Sequence, residues 1–174
     1  MVAIRRQPAI KLAGLRSRLK GLPYHVIPTL LERFSPYRGW FPGQVDRHLF
    51  GALMQPAGNS AGFEYLTAVE VENLAIINAD WEPLEIPSQH YAIFSHTGHL
   101  SNLRTTTHSV FANSLPSRQL TPLRHTPNVP LILERYSASF DIRSGWGEIQ
   151  LWVPLDEARS DLPSIRKFEP ASGR

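Results

Sequence analysis

PLILERYSASFDIRSGWGEIQLWVPL, residues 130–155, decides how the rest of the chain is read. It splits into two apolar runs, 131–137 and 147–154, joined by a polar, glycine-bearing loop, the pattern of two β-strands. Side chains alternate across a strand with period two. Leu131, Leu133 and Arg135 therefore share one face, and Ile132, Glu134 and Tyr136 share the other. A carboxylate stands in line with an isoleucine and a tyrosine. Either that face is wet or the glutamate receives a ligand, and alternation alone leans toward the wet face.

Outward from this stretch, six more strand-like runs appear, at 2–5, 10–17, 49–55, 64–71, 84–86 and 90–97. Each is bounded by Pro, Gly, Asn or Ser. Two segments carry helical spacing instead. In 25–37, Ile27, Leu30, Leu31 and Phe34 recur at i, i+3, i+4 and i+7, with Pro28 suited to a first turn. In 101–115, Leu103, Thr107, Val110, Phe111 and Ser114 lie on one face, with Ser101 as a candidate N-cap and Pro116 as a stop.

The order strand, strand, helix, strand, strand is thus written twice. An offset of 79 places Pro8 on Pro87 and Ala13 on Ala92. This pattern predicts an α+β fold of two pseudo-symmetric repeats, about 2–80 and 82–156, with mainly antiparallel sheets. Residues 157–174 lose periodicity and read as a loose tail.

Length and composition exclude several classes. A chain of 174 residues with 42% apolar and 19% charged residues suits one soluble domain, and no apolar run approaches the ~18 residues of a membrane span. There is no cysteine, which removes disulfides, thiolate metal sites and cysteine nucleophiles. No secretory signal is read at the start, so a cytoplasmic location is expected. Arg5, Arg6, Lys11, Arg16, Arg18 and Lys20 gather in the first twenty positions, and read as a solvated strand face rather than a phosphate patch. His96 and His99 in HTGH lack an acidic third ligand nearby, and no Gly-rich phosphate loop, GxSxG or HExxH occurs. No metal and no cofactor is expected. Glu70 and Glu72 share a face with Leu66 and Ala68, which reads as a solvated strand end rather than an acid–base pair.

The segments FEYLTAVEVEN, IPSQHYAIFSHTG, LILERYS and EIQLWVPL, in this order and spacing, resemble the GyrI-like small-molecule-binding domain. This is the effector-binding domain of AraC-type and MerR-type transcription regulators. The likeness spans about residues 2–155, and AIKLAGLRSR resembles the family's first paired strand. It implies a cleft between two strand–helix–strand–strand units that binds hydrophobic, often cationic, aromatic compounds. Glu134 matches the glutamate that meets the positive charge. Tyr136, Trp152, Phe111, Trp40 and Phe41 are then the candidate aromatic walls, each equally readable as ordinary core. No helix-turn-helix is legible, so the chain looks like a stand-alone binding domain, and direct DNA binding is not expected. The resemblance leaves two alternatives: a hydrolase of reactive cyclopropane-bearing compounds, and a protein that inhibits DNA gyrase or serves a separate regulator.

Overall fold

All eight runs read as strands form strands, and every ladder between them is antiparallel. A computed structural model describes residues 2–162 apart from 57, 59 and 60. The strands are β1 (Val2–Gln7), β2 (Ile10–Leu19), β3 (Leu49–Met54) and β4 (Phe63–Glu70), then β5 (Glu82–Ile86), β6 (Gln89–His96), β7 (Ile132–Tyr136) and β8 (Ile149–Pro154). Helix α1 (Ile27–Phe34) lies between β2 and β3, and α2 (Leu103–Ser109) between β6 and β7. The single sheet has the order β1-β6-β8-β7-β3-β4-β2-β5. The halves meet where β3 pairs with β7, which puts Gly51 opposite Glu134.

The paired prolines mark a shared kink. β1 lies at one end of the sheet and β2 next to the other, yet only Pro8 and Ala9 connect them. β5 and β6 are likewise joined by Pro87 and Ser88 alone. Two residues reach no more than about 7 Å, so the ends of the sheet are drawn together here. Register is unbroken across the kink: Gln7 faces Gln89 and Ile10 faces Ile86. The faces exchange instead. Val2 and Ile4 pack toward the helix-covered core, whereas Ile10 and Leu12 belong to the core on the opposite face. Proline has no N–H for a ladder, which suits it to the point where both strands turn over.

Both helices pack on the face that carries Ile132, Glu134 and Tyr136. Ile27, Leu31 and Phe34 of α1, and Leu103 and Val110 in and beyond α2, join the same core as Leu49, Leu53 and Tyr65. Pro28 occupies the first turn of α1, as its spacing predicts. Ser101 is not an N-cap. It lies inside a 3₁₀ turn, Leu100–Asn102, where its backbone N–H donates to His99 Nδ1 at 3.1 Å. A π-turn, Val110–Ser114, extends α2, and the Leu115 N–H donates to the Val110 carbonyl. One added residue per turn is a common device near binding sites.

Three of the six basic residues at the start of the chain are paired with acids. Arg16 bonds Glu64 at 2.8 Å and approaches Glu82 at 3.6 Å, Arg18 approaches Glu64 at 3.5 Å, and Arg6 approaches Glu157 at 3.7 Å. The first part of the expected tail is docked rather than loose. Glu157 bonds His90 Nδ1 at 2.8 Å, and Ser160 Oγ donates to the Thr121 carbonyl. The remainder of that expectation, 163–174, lies outside the described residues.

Candidate functional site

Glu134 is 1% exposed, and it is the sole Asp or Glu in the buried class among the described residues. The face is dry, against the lean of alternation alone. Its Oε2 accepts from the hydroxyl of Tyr65 at 2.5 Å and of Tyr136 at 2.7 Å. Tyr136 is its neighbour two residues along β7. Tyr65 comes from β4, two strands away, and reaches across β3 to make its bond.

Gly51 makes that reach possible. It stands between the two, and a Cβ built there would lie 1.8 Å from the Tyr65 hydroxyl and 2.8 Å from Glu134 Oε2. The missing side chain is the space in which the phenol meets the carboxylate. Gly51→Ala is expected to destabilise the protein by about 1–3 kcal/mol, the range for overpacking a core. Urea unfolding would measure the loss, and a variant as stable as wild type would show that the phenol does not need this gap.

Burial drives the electrostatics. Removing a carboxylate from water disfavours its charged form, and this pushes Glu134 up from its ordinary 4.5 to about 7, against the two tyrosine bonds that pull it down. Burial also raises Tyr65 and Tyr136 well above the usual phenol range, and the glutamate's charge adds to it. Tyr24, in the loop before α1, is pushed up to about 12, mainly by burial and also by the charge of Glu134. Three phenols thus gather around one acid.

Two clefts open above this group, of about 400 and 710 Å³. Leu22, Tyr24 and Arg104 wall both. The smaller lies between the halves, with the cross-strand pair Leu53 and Ile132 from β3 and β7 in its lining. Arg104, Thr107, His108 and Phe111 recur at i, i+3, i+4 and i+7 and present one stripe of α2 and its π-turn to it. Glu134 lines neither cleft; it lies two residues beyond Ile132 on the same strand face. Tyr24 walls both clefts and feels the carboxylate's charge.

Of the six residues singled out in the sequence, the structure brings two together and sets a third in the neighbouring cleft. Glu134 and Tyr136 are hydrogen-bonded, and Phe111 lines the smaller cleft. Trp152 is a correction: it pairs with Leu133 across the β7–β8 ladder, so alternation puts it on the face away from Glu134. There it packs on Tyr91 at 5.6 Å, beneath the Arg135 guanidinium. Phe41 is another, buried against Phe34 and Trp81 at the end of α1. Trp40 is 82% exposed and walls neither cleft. Glu70 sits half-buried at the end of β4 on the opposite face from Glu134, and burial raises its carboxyl. Both rings of HTGH are spoken for: His96 Nε2 donates to the His99 carbonyl, and His99 bonds Ser101 Oγ and the Ser144 carbonyl.

The model of the family Cass2, "Integron-associated effector binding protein", matches residues 4–155. The chain belongs to this family. It is the GyrI-like effector-binding group that the strand pattern resembles. A curated relative, the transcriptional regulator BrlR of Pseudomonas aeruginosa, is 23% identical over 151 residues, 86% of this chain and 53% of BrlR. The chain therefore spans about half the length of that relative. Among solved structures, SAV2435 bound to tetraphenylphosphonium is similar with a TM-score of 0.70 at 14% identity, over 91% of this chain and 95% of that one. The integron cassette protein VCH_CASS2 from the mobile metagenome of Vibrio cholerae follows at 0.52 and 12%, over 89% and 95%. These two show a shared fold. No helix among the described residues is long and apolar enough to cross a membrane.

Proposed function

We propose that the chain binds lipophilic aromatic cations between its two halves, with Glu134 as the counter-charge. One observation carries the reading: a carboxylate buried to 1% exposure, held by tyrosine hydroxyls with no cationic partner among the described residues, near a largely apolar cleft. Burying an ionised acid costs several kcal/mol unless an opposite charge offsets it. A bound organic cation supplies that charge, and tyrosine faces add cation–π contacts of about 0.5–2 kcal/mol each. The tetraphenylphosphonium held by SAV2435 is a molecule of this class. Glu134 is outside the lining of the smaller cleft, so access from there requires side chains of that wall, Tyr24 among them, to move. The protein acts here as a binder, and a sensing or sequestering role follows from whichever partner reads the bound state.

Calorimetry suits the test, because none of the four tryptophans walls the smaller cleft. Tetraphenylphosphonium should bind saturably at pH 8, and Glu134→Gln should weaken it by about a hundredfold or more, within the range for a buried charge pair. Neutral triphenylphosphine oxide should change by less than about twofold, since no charge pair is lost. Equal losses for both probes would remove the counter-charge from the reading.

A further inference from the structure

The smaller cleft is positive at its mouth, although a single acid lies beneath it. Its lining includes Arg104, His108 and Arg124 and no Asp or Glu. Arg104 and Arg124 are exposed, and neither enters an ion pair among the described residues. Arg104 also walls the larger cleft, where Arg143 joins it against a lone Glu32. A plain cation that enters this cleft is opposed by these guanidinium groups, since like charges repel.

A second feature of the same wall points to a polar ligand. Thr107 is 7% exposed and lines the smaller cleft, and its Oγ1 lies beside the Tyr24 hydroxyl, with no well-formed hydrogen bond among the described residues. It sits one turn of α2 beyond Arg104, and both are on the stripe that faces the cleft.

We infer that the ligand is a zwitterionic aromatic, its cationic centre directed to Glu134 and a carboxylate held at the mouth by Arg104 and Arg124. This rests on the binding function proposed above and narrows its ligand class. Guanidinium groups match a carboxylate with paired, charge-assisted hydrogen bonds. The Thr107 hydroxyl, on the same stripe of the wall, adds a polar group that the ligand can share with Tyr24. The mouth then selects against simple cations that the acid alone would accept.

Rhodamine B and its ethyl ester form the matched probes: one aromatic cation with a free carboxylate, and the same cation with that charge masked. Dye fluorescence anisotropy at pH 8 should show the zwitterion binding about tenfold more tightly than the ester, the worth of a charge-assisted pair. Arg104→Gln/Arg124→Gln should erase that preference by weakening rhodamine B while leaving the ester unchanged or tighter. Both residues are exposed, so the double variant should unfold in urea like wild type. Equal affinities in the wild type, or equal effects of the double variant on both dyes, overturn this inference and leave the Glu134 reading standing. If neither dye binds saturably, the underlying function fails and takes the inference with it.

Discussion

Lowering the pH from 8 to 5 should weaken the binding of tetraphenylphosphonium about a hundredfold. Only the ionised glutamate attracts a cation, and apparent affinity scales with the fraction in that state. With Glu134 titrating at about 7 in the free protein, about 90% is ionised at pH 8 and about 1% at pH 5. The bound cation favours the ionised form, so binding at pH 6 should release close to one proton. Calorimetry in buffers of different ionisation enthalpy reads that proton directly. The Glu134→Gln variant isolates the effect from the histidines around the clefts. Its residual affinity should vary little with pH by comparison, and triphenylphosphine oxide should show little dependence in either protein. A wild-type affinity that is flat between pH 5 and 8 would mean the cation does not meet this carboxylate.

Much of this arrangement was legible in the residues, for physical reasons that also explain the gaps. Period two shows which side chains share a strand face, and Pro8 and Pro87 stop their strands wherever they occur. Those local rules suffice for eight strands and two helices. Which face of one strand meets which face of the next depends on register, a tertiary property. Trp152 was assigned to the cleft from its own strand alone, whereas its pairing with Leu133 turns it away. Tyr65 is missed for the same reason, since it reaches Glu134 from a distant part of the chain. One signal for Tyr65 did exist. Gly51 interrupts the otherwise apolar run LFGALM, and an isolated glycine inside a strand marks the close approach of another group. The cationic mouth had no such signal, because Arg104 and Arg124 lie twenty residues apart in sequence and are joined only by the cleft.

Glu134→Gln should make the ligand-free protein more stable at pH 8 by about 3 kcal/mol, while changing it little near pH 5. The folded state holds the Glu134 proton more tightly than the unfolded chain, at about 7 against an ordinary 4.5. A group raised in this way contributes its stability in full below about pH 4.5. That contribution drains away as pH rises through 7, at 1.36 kcal/mol per unit of difference. Glutamine is isosteric, accepts from Tyr65 and Tyr136 through its carbonyl, and cannot ionise, so it escapes the loss. Urea unfolding at pH 5 and pH 8 gives the two differences needed. A gain of the same size at both pH values would trace it to packing and not to charge. The expected pattern has a functional meaning, because sites that serve function commonly trade stability for it. A cation that pairs with the ionised glutamate offsets that loss, and saturating ligand should therefore restore to the wild type most of the stability that glutamine confers without it.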